Sequence, residues 1–76
     1  MKYIVTEVQH YADGNISAPV YAFEDENKAK AKFYQILSSA AVSTLPVHSA
    51  ILCTEEGFFM DSACFKHDVA EEASNE

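Results

Sequence analysis

Arginine and tryptophan are absent from this chain of 76 residues, and glycine, proline and cysteine occur twice each. Without arginine there is no planar guanidinium fork to clasp a carboxylate or a phosphate. The cations are five lysines (Lys2, Lys28, Lys30, Lys32 and Lys66) against twelve acids, for a net charge of −7. That balance excludes the basic footprint of a nucleic-acid binder. An anionic membrane surface would repel the chain as well. The two glycines sit in turn contexts, so no glycine-rich phosphate loop exists. No apolar run approaches the about 18 residues of a membrane span. Glu7 interrupts the first apolar run too early for a signal peptide, so a cytosolic protein with reduced thiols is expected.

Apolar residues are plentiful, at 49%, with four tyrosines and five phenylalanines. That is too hydrophobic for a disordered chain. One small domain is expected, over residues 1–67, followed by an acidic, frayed tail over 68–76. A domain this size buries only about 60–65% of the surface its unfolded chain exposes. Such domains usually add disulfides, a metal or a partner subunit. Two cysteines allow at most one disulfide, which raises the weight on a partner.

Residues 2–11 favour strand, and Asp13-Gly14 signals a two-residue hairpin turn. Residues 16–23 continue as a second strand, with Pro19 marking an edge or a bulge. A helix is expected over 25–43, capped by Asp25, with Glu24/Lys28 and Glu26/Lys30 at pairing distance. Ala29, Phe33, Ile36, Leu37 and Ala40 form its apolar stripe, and Pro46 stops it. Residues 47–54 and 58–66 form a second hairpin around Glu56-Gly57. The fold class is α+β, in the order ββαββ, with a four-stranded, mostly antiparallel sheet and one helix on one face.

A two-residue turn at 13–14 opposes Val5 to Ala22 and Glu7 to Val20. A turn at 56–57 opposes Cys53 to Met60, Ser49 to Cys64 and His48 to Phe65. In both hairpins each face then carries large apolar groups, against the clean alternation of a half-solvated sheet. One helix covers one face. A second copy of the chain, as a homodimer or higher homo-oligomer, is the simplest cover for the other. The competing reading is a strongly coiled sheet with the tail folded over its far face. The self-association face is assigned to Tyr3, Val5, Val20, Ile51, Cys53 and Met60.

Candidate chemistry is sparse. Cys53 and Cys64 share a face but stand roughly 13 Å apart along the strands, too far for a disulfide. His48, His67 and Asp61 lack the tight spacing that makes a metal motif specific, so neither metal nor other cofactor is assigned. Serine, histidine and aspartate occur without a triad pattern, and so small a domain has little room for a catalytic pocket. No enzyme is read from these residues. The acids fall at the helix start, in the 55–56 turn and in the tail, where they serve the helix dipole and solvation.

Phe33-Tyr34-Gln35-Ile36-Leu37, Ala40-Ala41-Val42-Ser43, Pro46-Val47-His48-Ser49-Ala50 and Phe65-Lys66-His67 together resemble a group of short uncharacterised proteins encoded by bacteriophages and prophages of Firmicutes. The resemblance spans Lys32 to His67, about half the chain, and brings no catalytic motif. It implies a phage or prophage accessory protein associated with virion genes, placed in the bacterial host cytoplasm or the virion. The function expected is a non-catalytic, self-associating virion accessory or assembly protein. The alternative is an acidic inhibitor that binds a host protein such as a defence nuclease.

Overall fold

A computed structural model describes residues 1–67; the tail expected over 68–76 lies outside the described residues. The element order is β1 (Tyr3–His10), β2 (Ile16–Ser17), β3 (Val20–Phe23), α1 (Glu26–Ala41), β4 (Val47–Thr54) and β5 (Phe59–Lys66). All pairings are antiparallel. β1 lies between β4 on one side and β2 and β3 on the other, and β5 flanks β4. The expected α+β class and ββαββ layout hold, with the second strand divided in two.

Pro19 divides it. Glu7 N–H donates to the Pro19 carbonyl at 3.0 Å, which puts Pro19 in a bonded ladder position. A proline there has no N–H to return to Glu7, so one rung is missing and the strand breaks into β2 and β3.

The first hairpin also turns differently from expectation. Gly14 N–H donates to the Tyr11 carbonyl at 3.0 Å, and Tyr11 N–H donates to Asn15 at 2.8 Å. The loop therefore has three residues, 12–14, with Gly14 at φ 94° supplying the left-handed position. The Asp13 carboxylate accepts from the Asn15 backbone N–H at 2.9 Å and fixes the bend. One extra loop residue slips the register by one: Val5 opposes Tyr21, and Val20 opposes Thr6.

The second hairpin repeats this turn. Gly57 N–H donates to Thr54 and Thr54 N–H to Phe58, both at 2.9 Å, with Gly57 at φ 92°. Cys53 accordingly opposes Phe59 instead of Met60. A bulge at the Leu52/Cys53 step then absorbs one residue of β5, and the expected register returns: Leu52 with Asp61, Ser49 with Cys64, His48 with Phe65.

The helix starts where Asp25 accepts from Asn27 N–H at 2.9 Å. Capping of this kind contributes about 1 kcal/mol. Glu26 and Lys30 pair at 3.1 Å, and the carboxylate raises the lysine's pKa; Glu24 lies before the helix. The helix ends at Ala41, two residues earlier than expected. The Ser43 hydroxyl accepts from Leu45 N–H at 3.0 Å and leads the chain out toward Pro46. Ala29, Phe33, Ile36 and Ala40 are buried. The first three pack with Val5, Ala50 and Leu52 of the sheet, and Leu37 packs alongside partly buried. Lys32 reaches over the Tyr21 ring, 4.2 Å from its centroid.

Candidate functional site

Opposed residues in a ladder share a face, so the pairings sort every strand position. Tyr3, Val5, Glu7 and Gln9 of β1 lie on the helix side with Tyr21, Phe23, Leu52, Ala50 and His48. The opposite side carries Ile4 and Val8 of β1, Ile16, Val20 and Ala22 of the outer edge, Val47, Ile51 and Cys53 of β4, and Phe59 and Cys64 of β5. Ile16, Val20 and Phe59 each keep more than 60% of their surface exposed, and Ile51, at the middle of β4, keeps 38%. Among the described residues no helix covers this side.

The six residues assigned to the self-association face divide between the two sides. Val20, Ile51 and Cys53 lie on the uncovered side. Val5 is fully buried under the helix, and Tyr3 and Met60 pack against the same core. The one-residue slip moves Val5 away from Val20, and the longer second loop, which sets Phe59 opposite Cys53, turns Met60 inward. Ile4, Val8, Ile16 and Phe59 belong to the uncovered side in their place.

Charge on this side is distinctive. Among the described residues none of its strand positions is a carboxylate, although the chain has twelve acids; it carries His10 and Lys66 in one cross-strand row at one end, either side of Val47. The face spans four strands at about 4.8 Å spacing and eight residues of about 3.3 Å rise, roughly 500 Å² in plan. Thr6, Ser49 and Ser62 interrupt it and His10 and Lys66 lie at one end, so its apolar part is smaller and falls within the about 300–600 Å² of the largest patch on an ordinary monomer.

The helix side holds a polar network that the sequence did not reveal. Glu7 Oε2 lies 2.6 Å from His48 Nε2 and accepts from Gln9 Nε2 at 3.0 Å. Tyr11 Oη donates to Gln9 Oε1 at 3.1 Å. His48 is 5% exposed, and its Nδ1 is buried without a hydrogen-bond partner among the described residues. Glu7 and His48 are 41 positions apart, and only the β1–β4 pairing brings them together.

The remaining candidates stand apart. His67 Nε2 lies 2.8 Å from the Ala40 carbonyl at the end of the helix, and Asp61 is opposed by Leu52. Among the described residues no group of three or more His, Cys, Asp or Glu side chains is placed to hold a metal ion. Cys53 and Cys64 are both free thiols, on the uncovered side. No described helix is long and apolar enough to cross a membrane.

Five of the eight acids among the described residues gather instead at one end of the sheet. Tyr3 is opposed by Phe23 on one side and Thr54 on the other. Glu24, Asp25 and Glu26 follow Phe23, and Glu55 and Glu56 follow Thr54, so both groups emerge at that end. Lys2 lies between them: its N–H donates to the Glu55 carboxylate, and its carbonyl accepts from Glu55 N–H at 2.9 Å. No family model, curated protein or solved structure matches the chain.

Proposed function

We propose that this protein is a non-catalytic, self-associating module in which a second copy covers the sheet face opposite the helix. The carrying observation is the acid-free apolar face on a chain of net charge −7. Two copies of so acidic a chain repel each other at long range. A contact surface without carboxylates is where that repulsion is least. Stacking two such sheets, about 10 Å apart, resembles the packing inside a β-sandwich. Both faces together bury on the order of 1,000 Å², about the threshold for a specific interface. The likeness of Lys32 to His67 to phage and prophage proteins supports a virion accessory or assembly role, in the host cytoplasm or the virion.

Light scattering on a sizing column tests the face. The wild type should run as more than one copy at tens of micromolar. Ile51→Glu sets a carboxylate at the centre of the patch and should weaken association about a hundredfold. The loss combines at least about 1.5 kcal/mol of burial in each copy with a charge facing an apolar surface. A strictly monomeric wild type at that concentration would sink the proposal.

The acidic end of the sheet favours a second reading, an inhibitor that engages a basic protein such as a defence nuclease. Its partner binding should weaken steeply with salt. It should also be lost in Glu55→Lys/Glu56→Lys, while self-association persists. Binding insensitive to both would remove this reading.

A further inference from the structure

The two edges of the sheet are unlike. The β2–β3 edge is broken at Pro19. The other edge, β5, runs from Phe59 to Lys66 with one bulge at Met60, and its outer side pairs with no other strand among the described residues. His67 N–H donates to the Pro46 carbonyl at 2.9 Å. Bonded pairs alternate along an antiparallel ladder, so Phe65, Ala63 and Asp61 spend their backbone groups on β4. Lys66, Cys64 and Ser62 fall in the intervening pairs, and their N–H and C=O groups point away from the sheet; of these, the Ser62 N–H already donates to its neighbour's carboxylate, Asp61 Oδ1, at 2.8 Å. Natural sheets guard such edges with proline, bulges or charge. Here the bulge at Met60 lies before this segment, and the charges stand at its two ends.

We propose that a second copy of this chain adds to this edge, β5 against β5 and antiparallel, about a two-fold axis at Cys64. Matching the outward-facing residues of two identical strands allows the axis at Ala63, Cys64 or Phe65. Centring on Ala63 sets Asp61 against Phe65, and centring on Phe65 sets His67 against Ala63. Centring on Cys64 sets Asp61 against His67, Ala63 against Phe65, Ser62 against Lys66 and Cys64 against itself. It alone opposes a carboxylate to a basic side chain, a pair that forms when Asp61 leaves the Ser62 N–H and His67 leaves the Ala40 carbonyl. The axis is normal to the sheet, so both uncovered faces end on the same side and join into a face of double width. This edge contact is separate from the stacking of faces proposed above. Used together, the two contacts close into an assembly of four copies.

Cys64 supplies a direct probe. In a bonded antiparallel pair opposed Cα atoms lie about 5.5 Å apart, within disulfide range. A Cys53→Ser chain treated with a mild oxidant should therefore cross-link through Cys64. Cys64→Pro removes an outward N–H that β4 does not use. Ser62→Lys places lysine opposite Lys66 twice over by symmetry and should weaken the edge contact about tenfold, with an unchanged circular dichroism spectrum. Wild type is expected at four copies and Cys64→Pro, which adds no charge to the uncovered face, at two; Ser62→Lys also sets a charge beside Ile51 and is expected at two or fewer. A dimer dissociated by Ile51→Glu but indifferent to Ser62→Lys and to oxidation overturns the edge proposal and leaves the stacked faces standing. An assembly dissociated by Ser62→Lys and indifferent to Ile51→Glu supports the edge and removes the stacked faces. A monomeric wild type overturns both.

Discussion

Phe33→Ala is expected to lose about 3–5 kcal/mol of stability, the usual result of truncating a fully buried phenylalanine. Phe33 is 1% exposed and is among the largest fully buried side chains, with Leu52 and Val5. It packs in the cluster that joins the helix to β1 and β4, and its ring meets Tyr34 edge-on, with centroids 5.3 Å apart. Domains of this size are stable by roughly 4–11 kcal/mol in total. The variant should therefore be substantially unfolded at modest urea concentrations. Phe33→Leu keeps most of the apolar volume and should lose less than half as much. Urea denaturation followed by circular dichroism measures both. Because the subunit contact proposed above would stabilise only the folded form, it predicts that the midpoint of Phe33→Ala also rises with protein concentration. A midpoint within error of wild type would mean that the helix does not hold the sheet through this residue.

The second large effect concerns Glu7 and His48. A carboxylate only accepts, so the 2.6 Å contact assigns a hydrogen to His48 Nε2. The side chains are 14% and 6% exposed, respectively. Glu7→Leu leaves a buried Nε2–H without an acceptor and should lose about 1–3 kcal/mol. His48→Leu strands a mostly buried carboxylate on Gln9 alone and should lose a similar amount. The double variant Glu7→Leu/His48→Leu replaces the pair with apolar packing and should recover most of the loss. A double-mutant cycle from denaturation curves reads the coupling directly. Strictly additive losses would show that the two groups are neighbours without being partners.

Much of the fold is legible in local chemistry. Asp13-Gly14, Asp25, Pro46 and Glu56-Gly57 each mark an element boundary near its place, because caps and turns depend on residues close in sequence. Register is harder to read. A glycine after an acidic residue fits a two-residue or a three-residue loop, and the choice decides which side Val5 takes. In the second hairpin the bulge compensates for the longer loop, which is why Ser49 and Cys64 meet as expected while Cys53 and Met60 do not. Val20, Ile51 and Cys53 could be placed on the uncovered face; Tyr3, Val5 and Met60 could not. The Glu7–His48 contact requires knowing that β1 lies beside β4, a pairing that no local signal encodes.

The central position of β1 has a consequence for synthesis. Its local partners are complete once Phe23 has emerged, yet the strand that closes its other edge ends only at Thr54. At a translation rate of about 5–20 residues per second, the first hairpin waits roughly 2–6 s for β4. During that interval Val5 lacks Leu52 and both apolar sides of the hairpin are wet. Folding of this domain therefore waits for β4, and until then the growing chain depends on its acidic residues, or on a chaperone, to stay apart from its neighbours on the same messenger RNA.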